Sequence, residues 1–315
     1  MEEINKLLQS HIEEFEINSM DDFLFQKNCS SIVLSNKTRL YVPNYKKRYT
    51  FEQSFKLSLD FLSTISKEYS DRLIERRNEG AFIVDYGTNP IYPTSRSLKI
   101  NDKNIIYILF DDTIHCSYNI SHEFIHDTTI IGAEESVTRN IFCEVPSTYI
   151  ELLQDKYLEG NKHIDACVWQ RDRINTIYFK ALCMSFELKL IEKYIENGYI
   201  NNQILTSVFK TFDYNQTILY HYLYMLETDK FYWVEDQRHV WGFLIANYMM
   251  IKEEEKRTNH REFIELNEMI NTFNENQFLS YIDLERTSDF NVFDLTNDSY
   301  MKIRNSYIKY LKKIR

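Results

Sequence analysis

Residues 171–198 read RDRINTIYFKALCMSFELKLIEKYIENG. Ile174, Ile177, Ala181, Met184, Leu188, Ile191 and Ile195 recur there at alternating three- and four-residue steps, the period of one face of an α-helix. Gly198 stands where such a helix wants its left-handed C-terminal residue. The surrounding sequence has the same character. The prolines are Pro43, Pro90, Pro93 and Pro146, so none occurs from Ser147 to Arg315. Only Gly160, Gly198 and Gly242 interrupt that span, which therefore predicts long helices joined by short turns. TFEQSFKLSLDFLSTISKEYSDRLIERR (50–77) is helix-patterned too. By contrast AFIVDY (81–86) and NIIYILF (104–110) are short, β-branched and aromatic, bounded by Gly, Pro, Asn and Asp, and read as strands. With no repeat, low-complexity tract or flexible linker, the reading is one domain over 1–315, mainly α, with a small sheet near 80–110.

Composition narrows the class. At 43% hydrophobic and 15% aromatic the chain has ample apolar surface to offset chain entropy. Its 37 basic and 47 acidic side chains give a net charge of −10, which argues against nucleic acid as a partner. No apolar run approaches the ~18 residues of a membrane span. The acidic, helix-patterned MEEINKLLQSHIEEFE is unlike a secretory signal. Cys29, Cys116, Cys143, Cys167 and Cys183 are odd in number and widely spaced, as expected of reduced thiols in a cytoplasmic protein.

The chemistry is carried by His122-Glu123-Phe124-Ile125-His126. On a helix, His122 and His126 project from one face and can offer imidazole nitrogens to one metal ion. Glu123 is then placed as the general base toward water, and zinc suits the nitrogen and carboxylate ligands. A strand followed by a helix start precedes the motif, the layout of a zincin cleft. A third protein ligand is required. Glu134 and Glu135 follow too closely for the chain to reverse into a second helix. Glu144 and Glu151 are far enough away, and Glu144 sits among Ile141, Phe142, Cys143 and Val145, where an unpaired acid is costly. Spacing thus prefers Glu144 and leaves Glu151 open.

Several motifs in one order resemble the catalytic domain of the oligoendopeptidase F family, relatives of thimet oligopeptidase. Leu40-Tyr41-Val42-Pro43 with Tyr49-Thr50-Phe51-Glu52 resembles the family's YAP…YTYEEA segment. Arg76-Arg77-Asn78-Glu79-Gly80-Ala81-Phe82 resembles its R–x–GA–(F/Y) segment, and Asp111-Asp112-Thr113 leads to His122 as the family's DDVxTLxHExGH does. Glu144-Val145-Pro146-Ser147-Thr148 resembles the motif carrying the third zinc ligand, and Trp233 through Tyr248 resembles the W…H…Y segment. The family usually has Gly where Ile125 stands and often His where Thr129 stands, and the link from His126 to Glu144 is short for it.

The resemblance implies a zincin-type helical peptidase domain with the sheet beside the zinc helix and a substrate cleft. Residues 1–40 would be a remnant of the N-terminal lobe, 41–285 the catalytic core and 286–315 a C-terminal helix. It implies one Zn2+ per chain on His122, His126 and Glu144, with Glu123 as catalytic base. His239 and Tyr248 would stabilise the oxyanion, and the Gly80–Ala81 backbone would pair with the peptide substrate. The expected activity is zinc-dependent endopeptidase cleavage of short or unstructured peptides, either general or dedicated to one peptide such as a leader. A non-catalytic zinc-containing peptide binder is the alternative. The expected partner is a peptide, with no nucleic acid and no membrane; the cleft walls of the short roofing lobe would be either partly missing or supplied by a second subunit in a homo-oligomer. Other features read as structure: His115 and Cys116 as packing under the sheet, the Tyr-rich 219–227 as helix core, and MKIRNSYIKYLKKIR as a basic helix docked on an acidic body. Asp127 reads either as an orienting partner of a ligand histidine or as a solvent-facing residue.

Overall fold

Thr50 shows how local chemistry sets the elements. Its side chain accepts from Gln53 N–H while Gln53 bonds back to the Thr50 amide, a capping box that starts the helix Phe51–Ile65. Ser66 ends that helix and caps the next, Lys67–Asn78, by accepting from Glu68 N–H, so the pattern over 50–77 is two helices rather than one. The computed structural model describes residues 1–14, 17, 24–36, 40–100, 103–129, 137–256 and 297–314. Among these, the helices are α1 (Glu2–Glu14), α2 (Leu24–Leu34), α3 (Phe51–Ile65), α4 (Lys67–Asn78), α5 (His115–Thr129) and α6 (Val137–Gly160). There follow α7 (Ala166–Asn197), α8 (Asn202–Thr211), α9 (Gln216–Thr228), α10 (Trp233–Lys256) and α11 (Asn297–Ile314).

Three strands lie between α4 and α5: β1 (Phe82–Asp85), β2 (Arg96–Ile100) and β3 (Lys103–Leu109). Their order is β1-β3-β2, with β1 parallel to β3 (Phe82 opposite Ile106) and β2 antiparallel to it (Ser97 opposite Ile106). β2 was not apparent in the sequence, because RSLKI carries little β-branched character. It forms by pairing with β3 and by Ser97 Oγ, which donates to the Glu123 carbonyl of α5 at 2.6 Å.

α7 is the long helix expected from its stripe. Ile174, Ala181, Met184, Leu188 and Ile191 are buried, and Gly198 ends the helix at φ 75°. α6 packs between α5 and α10, and α7 packs on α10 and α2. One hydrophobic cluster draws on α1 (Ile4, Leu7, Leu8), on α7 and on α11 (Ile303, Tyr307, Leu311). The chain is thus mainly α, with a small sheet beside α5. No helix among the described residues is long and apolar enough to cross a membrane.

Two structural expectations change. In α9, Leu219, Tyr220, Leu223 and Tyr224 face outward, with Tyr220 70% exposed, and only Ile218, His221, Tyr222 and Met225 are buried. The Tyr-rich segment is therefore half surface. His115 stacks its ring on Trp169 of α7 at 3.9 Å and sets Nδ1 2.7 Å from Asp111, so it packs on a helix rather than under the sheet. Residues 257–296, within the anticipated core and C-terminal helix, lie outside the described residues.

Candidate metal centre

α5 brings His122 and His126 onto one face, with their Nε2 atoms 3.0 Å apart. α6 brings Glu144 opposite them: Oε2 is 3.4 Å from His122 Nε2 and 3.6 Å from His126 Nε2. Among the described residues this trio is the one cluster of three or more His, Cys, Asp or Glu able to share an ion. Ligands ~2.0–2.1 Å from a tetrahedral ion stand about 3.3 Å from one another, so the three separations suit zinc. Glu144 Oε2 is buried without a hydrogen-bond partner, as an acceptor committed to an ion would be. Against the upward push of burial, the imidazoles of His239, His126 and His122 hold the Glu144 carboxyl well below the usual range.

Glu151, the other candidate ligand, has a different place. Its Oε1 lies 2.6 Å from His122 Nδ1, on the far side of the ring from the trio. A carboxylate there fixes the imidazole tautomer and presents the Nε2 lone pair to a metal. Burial would raise its pKa, but His122 and then Arg173 bring it down to about 2. Glu123 is buried beside the trio. Burial, its leading influence, raises its pKa, and the charges of His122 and His126 oppose that only in part. Glu134 and Glu135 lie outside the described residues.

Asp127 orients no ligand. It forms a two-pronged ion pair with Arg76, Nε to Oδ2 at 2.8 Å and Nη2 to Oδ1 at 3.0 Å. Arg76 also donates to the Asn104 carbonyl of β3, so one guanidinium clamps α4, β3 and α5 together.

Gly80 and Ala81 stand at the end of α4. Gly80, at φ 73°, donates its N–H to the Arg77 carbonyl, and Ala81 donates to that of Arg76. These two bonds are the Schellman closure of α4. The Ala81 carbonyl accepts from Ile106 N–H, and the Ala81 side chain is buried. Both amides and this carbonyl are thereby taken up within the fold, and the pair ends a helix.

α10 does place His239 at the site, with Nδ1 3.6 Å from Glu144 Oε2. Burial, opposed in part by Glu144, lowers its pKa to about 3. It does not bring Tyr248 there. Nine residues on one continuous helix turn through about 900°, which sets Tyr248 half a revolution from His239 and ~13.5 Å along the axis. Tyr248 packs instead against the hydrophobic core.

Three residues of the site had gone unremarked. Arg238 sets Nε 3.5 Å from Glu144 Oε1, with its side chain 35% exposed. Gly242 lies against the ligand itself: a Cβ there would stand 2.7 Å from Glu144 Cβ and 3.1 Å from its carbonyl carbon and oxygen. The signal was present, since an isolated glycine inside a helical pattern implies close approach. Glu187, fully buried on α7, accepts from the N–H groups of Tyr232 and Trp233 and so holds the start of α10.

Neither the protein-family models nor the curated proteins give a match to this sequence. Solved structures do. One, described as a peptidase from Chlamydophila abortus, aligns with a TM-score of 0.64 at 14% identity, over 99% of this chain and 60% of its own. The fold resembles that of the oligoendopeptidase F family. A second structure, described as an oligoendopeptidase F, aligns with a TM-score of 0.60 at 12% identity, over 94% of this chain and 58% of its own. The chain thus spans about 60% of the length of these two structures.

Proposed function

We propose that this chain is a zinc-dependent endopeptidase acting on short or unstructured peptides. The observation that carries the reading is the buried Glu144 Oε2, without a hydrogen-bond partner, facing the two histidine Nε2 atoms, with Glu123 beside them. His122, His126 and Glu144 would hold a zinc ion, which would supply Lewis-acid polarisation of a peptide carbonyl and acidify a water. Glu123 takes the proton from the attacking water and passes it to the leaving amine. Its burial keeps it more basic than an exposed carboxylate, which suits a group that must hold a proton between two steps.

We assign His239 and the partly exposed guanidinium of Arg238, both near Glu144, as hydrogen-bond donors to the developing oxyanion, a role that Tyr248, half a helical revolution away, does not share. β2 is a further candidate for pairing with a peptide: among the described residues it is an outer strand, tied to α5 through Ser97, and its edge away from β3 would offer backbone groups to an extended chain.

The test compares wild type with Glu123→Gln. Elemental mass spectrometry reads the metal, and mass spectrometry of products reads cleavage of a mixed peptide library. About one zinc in both proteins, with cleavage by wild type alone, is the expected result. Wild-type protein without zinc would overturn the reading. Zinc in both with no cleavage would leave a peptide binder.

A further inference from the structure

We propose that Arg173 and Tyr310 are positioning residues for the metal ligand His122, and that the C-terminal helix α11 is thereby part of the metal centre. The inference rests on the zinc reading above. Its basis is a chain of contacts that leaves the trio through His122 Nδ1. His122 Nδ1 meets Glu151 Oε1, and Arg173 Nη1 donates to the other oxygen of Glu151, Oε2, at 2.9 Å. The second arm of the guanidinium, Nη2, reaches Asp155 Oδ2 and, at 3.2 Å, the hydroxyl oxygen of Tyr310. Tyr118 donates to the remaining oxygen of Asp155 at 2.8 Å.

Every member beyond His122 is buried, with Arg173 at 5% exposure and Tyr310 at 4%. Glu151 and Asp155 are one helical turn apart on α6, so a planar fork can engage both at once. Buried charges of this kind tolerate no missing partner, because each group would be left desolvated and uncompensated.

The consequence reaches the metal through geometry. An imidazole coordinates through Nε2 only when its proton sits on Nδ1, and the group accepting that proton also sets the ring plane. Glu151 performs this for His122 only while its own carboxylate is held, and Arg173 holds it. Arg173 is in turn oriented by Asp155 and by Tyr310 of α11. Two further contacts dock α11 alongside: Arg171 Nε donates to the Ile314 carbonyl at 3.3 Å, and Lys313 pairs with Glu159 at 3.1 Å.

Zinc affinity of the full chain, measured by competition with a chromophoric chelator, tests the relay. Four variants join wild type: Tyr310→Phe, Glu151→Gln, their double, and Lys313→Ala as a docking control. Tyr310→Phe, which removes one hydroxyl, should weaken zinc binding about tenfold with the apo unfolding midpoint nearly unchanged. In the Glu151→Gln background the same change should have no further effect, since its route to His122 is already cut. Lys313→Ala should bind zinc as wild type does. Wild-type affinity in Tyr310→Phe, or an equal loss in both backgrounds, would refute the relay. A wild-type chain that takes up no zinc would instead overturn the zinc reading, and the relay with it.

Discussion

Replacing Gly242 by alanine sets two physical effects against each other. In a helix interior, Gly→Ala should stabilise by about 1 kcal/mol through propensity alone. Here the new methyl carbon would sit 2.7 Å from Glu144 Cβ, whereas carbon atoms rest ~3.5–4.0 Å apart, a shortfall of about 1 Å. Its other neighbours are the backbone carbon and oxygen of Glu144, both 3.1 Å away, so no rotamer change relieves the clash. Overpacking of this sort costs ~1–3 kcal/mol, and the propensity gain offsets part of it. The net loss of stability is then about 0–2 kcal/mol, a few degrees in Tm for a chain this long. Zinc should respond more strongly. Metal sites tolerate only ~0.2 Å in ligand distance, so parting α6 from α10 by even half the shortfall should lower affinity at least about tenfold. Urea unfolding gives the first quantity and chelator competition the second. A Gly242→Ala protein that gains about 1 kcal/mol and keeps wild-type zinc affinity would refute the reasoning, because only propensity would then be acting.

Gly80→Ala should cost about 1 kcal/mol for a left-handed residue at the end of α4, with no steric clash because nothing lies within 4 Å, and should leave KM for peptides unchanged. A raised KM would restore Gly80 to the substrate site. His11 accepts from Trp233 Nε1 at 2.6 Å and burial lowers its pKa to about 4, against 6.5 when unfolded. Because the unfolded chain binds the proton more tightly, His11 contributes stability above pH 6.5 that is lost as pH falls toward 4, up to about 3 kcal/mol. Urea titrations between pH 7 and pH 4.5 should show a flatter pH dependence in His11→Gln, and identical slopes would refute this. Asp127→Ala should lose about 1–3 kcal/mol, because Arg76 keeps Glu79 and the Asn104 carbonyl but loses its two-pronged buried partner, with zinc content per folded chain unchanged. A loss of zinc at retained stability would make Asp127 part of the metal shell after all.

The metal trio was legible because its logic is local or nearly so. Two histidines four apart declare one helix face, and an acid among apolar neighbours declares a reason to be buried. Gly198 and the stripe of α7 were legible for the same reason. What escaped depended on partners far along the chain. Glu151 looks like a second ligand until α6 is placed against α5, when its carboxylate proves to face Nδ1. Arg173 falls four residues before Ile177, on the buried arc of α7, yet only Glu151 and Asp155 explain a charge there. β2 has almost no intrinsic strand character and is created by β3 and Ser97. For Gly80 the family pattern suggested a substrate contact, whereas the helix that it terminates uses its amide. The His239–Tyr248 spacing implied a shared target, which a continuous helix cannot provide.

The division of the trio between two helices bears on how the fold lives and dies. His122 and His126 come together as soon as α5 forms, but Glu144 joins them only after α6 has docked. An ion gripped by all three is therefore a cross-link that closes late in assembly and must open early in disassembly. Interactions absent from the folding transition state act on the unfolding rate and leave the folding rate alone. In stopped-flow measurements, folding should then be indifferent to zinc while unfolding slows as zinc rises. For such a protein the free zinc concentration would set the lifetime of its folded state as well as its chemistry.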